Sequence, residues 1–274
     1  MIAVAAPAAP AAPPTTTTPR HISPTSARSY LSCGLRFFFE KVAGIKKPVA
    51  AGLHCGKAVH AALQAFHLAL WRGGDSSPAA AGIAYEEAFD ALERDEGPVG
   101  YEDPAERDKA RADGLRIVAA YLDSPEALKE RPRGVEVILE ETLLGLSVPL
   151  TGTIDLVRAD LTPVDFKSSS SKPDPTNARF EAELQLVSYQ LLLEAATGER
   201  PRGLELVYLV KTKTPQVIRV QAKAADLHRK HRAIAMLEAA AQGIASERFL
   251  PSPGMQCSWC GYRKECWGWK GGAP

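Results

Sequence analysis

The segment TGTIDLVRADLTPVDFKSSS, residues 151–170, constrains this chain more than any other stretch. Thr151, Thr153 and Asp155 alternate with Ile154 and Leu156, the period-2 pattern of a half-buried strand. A second short strand over 163–167 sets Asp165 and Lys167 on one face and turns Phe166 towards a core. Two carboxylates and an ammonium then converge at the ends of neighbouring strands. A hydrolytic Mg²⁺ or Mn²⁺ site uses such hard oxygen ligands with a cation beside the attacking water. The same residues also suit an ordinary salt-bridged hairpin, because exposed charge pairs are common and individually weak.

Two helices could bring further groups to that place. Val59, Leu63, Phe66 and Leu70 recur at helical spacing over 55–71, which predicts an amphipathic helix. His60, Gln64 and His67 lie along another stripe of it, where a lone histidine is more often structural than a ligand. Gln185 and Tyr189 stand four apart in a helix expected over 178–196 and share one face. Leu184, Val187 and Leu191 mark its core side. Taken alone, Tyr189 is a half-buried aromatic.

The five cysteines are Cys33, Cys55, Cys257, Cys260 and Cys266. The last three form C-x₂-C-x₅-C in a short Trp- and Gly-containing tail too small for its own core. Three thiolates are an incomplete tetrahedral set, so a fourth ligand must come from elsewhere. Disulfides are not expected without an export signal.

In order along residues 22–267 stand ISPTSARSYLSCGLRFFFEKVAG, GKAVHAAL, TGTIDLV, VDFKSS, ELQLVSYQLLL and CSWCGYRKECW. This succession resembles the PD-(D/E)xK nuclease superfamily, and within it the RecB-like exonucleases, which include nuclease domains of recombination helicase-nucleases and CRISPR-adaptation exonucleases. The resemblance implies an α/β fold: a restriction-endonuclease-like core with a mixed central sheet flanked by helices. It implies His60, Asp155 and Asp165 as metal ligands, with a backbone carbonyl near Phe166, and Lys167 as the residue that orients water. It implies Gln185 as a positioning group and Tyr189 as a DNA contact. His54 and His67 match nothing and are expected to be structural, as is Cys55. Cys33 with Cys257, Cys260 and Cys266 is implied to hold a [4Fe–4S] cluster that staples the N- and C-terminal parts together, although a structural zinc would use the same thiolates. Gly34 stands where the family usually has proline, and Ser168-Ser169 where it has Thr-Gly. Neither departure removes a charged or ligating group.

Residues 1–21, rich in Ala, Pro and Thr, are expected to be disordered, leaving 22–274 as one nuclease domain. No span approaches the roughly 20 apolar residues of a membrane helix, so a soluble, cytoplasmic protein is expected. Net charge is only +1, but residues 80–141 hold 17 acidic against 8 basic residues, and 201–274 hold 12 basic against 5 acidic. Lys211, Lys213, Arg219, Lys223, Arg229, Lys230 and Arg232 supply most of the basic excess, and such polarity suits a phosphate backbone held on one side. Lys211 and Lys213 are the expected DNA-binding residues beside Tyr189. Helices are expected over 26–41, 55–71, 80–94, 104–122, 178–196 and 224–244, and strands over 135–144, 147–158, 162–167, 203–211 and 216–221.

The expected activity is a Mg²⁺- or Mn²⁺-dependent DNA exonuclease acting on single-stranded ends in recombination, repair or processing, with a helicase or an adaptation protein as partner. Glu136 or Glu140 could assist from the outer shell. The alternatives are a CRISPR spacer-processing nuclease and a non-catalytic iron–sulfur DNA-binding module.

Overall fold

A computed structural model describes residues 19–271, so residues 1–18 of the tail expected to be disordered lie outside the described residues. Helix α1 (Pro24–Ser32) leads into the short α2 (Gly34–Phe37), and strand β1 (Val49–Ala50) into the long α3 (Ala51–Arg72). Helix α4 (Pro78–Asp95), strand β2 (Val99–Gly100), helix α5 (Pro104–Leu122) and helix α6 (Pro125–Lys129) follow. Strands β3 (Pro132–Glu141), β4 (Leu150–Arg158) and β5 (Pro163–Ser169) come next, then helices α7 (Pro175–Glu181) and α8 (Glu183–Thr197). Strands β6 (Gly203–Val210) and β7 (Gln216–Lys223), helix α9 (Leu227–Ala245) and helix α10 (Arg263–Gly268) complete the order.

Local chemistry explains where the helices begin. Ser23, Ser77, Asp103, Ser124 and Asp174 each cap a helix with a side-chain oxygen, and each is followed by proline at the first helical position. The oxygen accepts an otherwise orphaned N–H, and proline has none to lose there. Apolar spacing alone therefore started helices too late, at 26, 80 and 178. It started α9 too early, at 224, because Asp226 is the cap.

The five-stranded sheet runs β3-β4-β5-β6-β7. Only β5 and β6 are parallel, joined by the α7–α8 crossover, so the sheet is mixed as expected. Its two faces feed two cores, and Ile154 and Leu156, expected on one face of β4, fall on opposite ones. Ile154, Leu206 and Val220 pack with Leu192 of α8 and Leu237 of α9. Leu156, Val164 and Phe166 pack with Val59 and Phe66 of α3 and Phe89 of α4. The result is a sheet between two helical layers. No helix among the described residues is long and apolar enough to cross a membrane.

The helix expected over 26–41 is interrupted at Cys33, whose backbone is extended at φ −164°. Its neighbour Gly34 lies so close to the 248–250 segment that an added Cβ would sit 3.2 Å from the Leu250 nitrogen. Leu35 N–H donates to Leu250 O at 3.0 Å. That tertiary contact diverts the chain where helical spacing would carry it on. The helix expected over 178–196 is likewise two helices, hinged at Ala182.

Candidate active site

Strands β4 and β5 pair only through Leu156↔Val164 and Val157↔Pro163, then part. Parting would orphan the Phe166 N–H, but it donates to Asp155 Oδ2 at 2.8 Å. The carboxylate replaces a missing strand partner, and its own position is fixed by doing so. Phe166 is buried in the α3-side core, and Asp165 and Lys167 emerge on the other face as the strand pattern predicts.

Asp165 is 3 % exposed. Its Oδ2 lies 2.7 Å from Lys167 Nζ, an ion pair. Its Oδ1 accepts from Gln185 Nε2 at 2.7 Å. Gln185 also accepts from Lys167 Nζ at 3.1 Å and donates to the Tyr189 hydroxyl at 2.8 Å. Burial raises the Asp165 carboxyl above the usual carboxylate range; Lys167 opposes the rise and Asp155 adds to it.

Helix α3 brings His60 to the same place. An added Cβ on Gly56 would meet Ser168 Oγ at 2.9 Å, so glycine is what lets α3 lie against the end of β5. His60 Nδ1 then stands 3.5 Å from Asp155 Oδ2. Burial alone would lower the imidazole pKa, but the Asp155 carboxylate, with help from Asp165, outweighs it and the net shift is upward. A cleft of about 860 Å³ opens between α3 and the sheet, lined by Lys57, His60, Gln64, Glu136, Thr153, Asp155, Lys167 and Ser168. Asp165 lies one layer behind, covered by Lys167. Lys57 and Ser168 were not singled out from sequence. Lys57 sits one helical turn before His60, so helical spacing could have found it.

Other expectations change in the folded chain. Tyr189 is 4 % exposed, which removes it as a surface on which DNA can lie. Its hydroxyl holds Gln185 instead. Much of the basic excess is internal. Arg219 pairs with Glu205, Arg229 and Arg232 with Glu183, and Lys230 with Glu194. Lys211, Lys213 and Lys223 make no ion pair among the described residues. Lys211 N–H donates to Ser169 O at 2.7 Å, which sets Lys211 beside the open end of β5.

The remaining histidines of α3 are packed in the core. His54 bonds Tyr101 OH and Phe89 O at 2.5 and 2.9 Å. His67 bonds Tyr121 OH at 2.9 Å and stacks on Phe166. Cys55 is buried.

Cys33, Cys257, Cys260 and Cys266 line one pocket of about 340 Å³. The interruption of the first helix at Cys33 presents its thiol there. The Cys266 thiol is pushed up by burial and then by its three sulfur neighbours. Among the described residues, no group of three or more His, Cys, Asp or Glu side chains is poised to hold a metal ion.

Residues 21–267 match the family profile described as the PD-(D/E)XK nuclease superfamily. A crystal structure of a candidate exonuclease from Eubacterium rectale superposes with a TM-score of 0.59 at 14 % identity, covering 89 % of this chain and 88 % of that one. At that identity the likeness speaks for the fold alone. A second solved structure, of a protein designated SSO0001, covers 88 % of this chain and 92 % of its own at 12 % identity, but its TM-score is only 0.37. No curated protein matches the chain.

Proposed function

The chain belongs to the PD-(D/E)XK nuclease superfamily, and from that membership we propose that it is a divalent-metal-dependent deoxyribonuclease that trims single-stranded DNA ends. The observation that carries this reading is the convergence of His60, Asp155, Asp165 and Lys167 on the gap between β4 and β5. The donor types suit Mg²⁺ or Mn²⁺, carboxylate oxygens beside one imidazole, although no three of them are poised around an ion among the described residues. His60, Asp155 and Asp165 would hold the ion. Bound there, a divalent cation supplies charge against the scissile phosphate and makes a coordinated water more acidic.

The chain's own groups do the rest. Gln185 grips Asp165 and Lys167 at once, and Tyr189 steadies Gln185 from behind. This holds the ammonium at the cleft wall. From there Lys167 would orient the attacking water and meet the developing phosphate charge. Lys211 and Lys213, beyond the end of β5, would attract the strand's phosphates in a salt-dependent manner. Cys33, Cys257, Cys260 and Cys266 would carry a [4Fe–4S] cluster. Their chemistry fits it, since four soft thiols share one pocket.

The test is digestion of 5′- and 3′-end-labelled single strands, duplexes and closed circles with Mn²⁺, Mg²⁺ or EDTA. Metal-dependent loss of linear single strands, with circles spared, supports the reading. Binding without metal-dependent products refutes it and favours a DNA-binding module. For the cysteines, anaerobically purified protein is assayed for iron and sulfide. A colourless, zinc-loaded product ends the cluster assignment and leaves the nuclease assignment standing.

A further inference from the structure

Glu136 has an unusual backbone for a strand residue. Its φ is 49°, in the left-handed region, although it is not glycine and lies within β3. Such conformations cost energy and persist where the surroundings impose them, often at functional sites. The other two non-glycine residues of positive φ among the described residues, Leu161 and Glu247, lie between elements.

The cores record what the kink does. Val135 packs on the α3 side and Val137 on the α8 side, so strand alternation breaks at Glu136. Ile154 and Leu156 divide in the same way around Asp155. The register Val135↔Leu156 and Val137↔Ile154 sets Glu136 opposite Asp155. The paired irregularity directs both acids into the cleft, and they are its two lining carboxylates. Glu136 is half-buried and makes no hydrogen bond or ion pair among the described residues. Like charges opposite one another across a strand pair repel. Glu140, on the same strand, is exposed and faces His21 at 3.7 Å instead.

We propose that Glu136 is a further cation-binding carboxylate of this site, aimed at the ion beside Asp155 by its kinked backbone. This rests on the cleft being a divalent-cation site. It separates Glu136 from Glu140, which points elsewhere.

The experiment is calorimetric titration of the metal-free full chain with Mn²⁺, alongside its thermal melting. Glu136→Gln should weaken Mn²⁺ binding about tenfold or more, and Glu140→Gln should leave it unchanged. Glu136→Gly, whose residue accepts the φ without strain, should melt higher than wild type without metal, yet lose Mn²⁺ affinity as Glu136→Gln does. If both Glu136 variants bind Mn²⁺ as wild type does while Asp155→Asn does not, the inference falls and the cation site stands. If Asp155→Asn and Asp165→Asn also bind normally, both fall.

Discussion

Two buried charge groups on the same sheet are built in opposite ways. On the α3 side, Glu205 is 1 % exposed and every lone-pair direction is used. Arg158 grips both its oxygens at 3.1 Å, Arg219 adds a contact at 2.5 Å, and Gln221 one at 3.0 Å. Arg158 Nε also reaches Glu130 at 3.0 Å, so two carboxylates face two guanidinium groups. Where β4 and β5 part, three carboxylates, Asp155, Asp165 and Glu136, share one ammonium, that of Lys167. The first group balances its charges two against two, as a structural network must. The second is left acidic and open, which destabilises the protein alone and suits it to a cation.

The largest test removes the open group. Asp165→Ala or Lys167→Ala should cut metal-dependent cleavage by about a thousandfold or more, with circular dichroism and DNA retention unchanged. Asp165→Asn should melt no lower than wild type, because burial disfavours the charged form of the acid. Wild-type cleavage by both alanine variants would remove the contrast altogether. In the closed group the effect should fall on folding. Glu205→Gln removes the buried charge that Arg158 and Arg219 both grip and should lose about 3–5 kcal/mol in urea unfolding, with kcat nearly unchanged in the fraction that remains folded.

His67 lies between the two groups, stacked on Phe166 and within the field of Arg158. Burial, then Arg158, lowers its pKa to about 3. Between that value and its unfolded value near 6.5, only the unfolded chain takes up the proton, so stability falls as pH drops. From pH 6.5 to 4.5 the loss should be about 2–3 kcal/mol relative to His67→Leu. Parallel stability–pH curves for the two proteins would show that His67 titrates normally. The smallest effect belongs to Tyr189→Phe. It removes one hydrogen bond to Gln185, worth about 1 kcal/mol, so kcat should fall less than about tenfold, and DNA affinity should stay the same because the ring is buried.

Much of this was legible beforehand because it depends on neighbours in the chain. The parity of Asp165, Phe166 and Lys167 required two residues to emerge on one face and one to be buried. The four-residue spacing of Gln185 and Tyr189 put them in contact. The Ser-Pro and Asp-Pro helix starts were equally local: the one at Pro104 agrees with the expected start, and apolar spacing set those at Pro24, Pro78 and Pro175 too late. Other features depend on partners far along the chain. The break at Cys33 follows from the approach of Leu250. The neutralisation of Arg229 and Arg232 follows from Glu183.

The amino-acid order determined by itself the main strands and long helices, and which of them carry acids, imidazole and thiols, since periodicity and side-chain chemistry are local properties. Tertiary structure alone decided which charges are cancelled and which are left exposed to a ligand. Whether a carboxylate is structural or available depends on how many donors surround it in space, and residues as distant as Asp155 and His60 become neighbours only when the sheet parts and a helix packs against the gap.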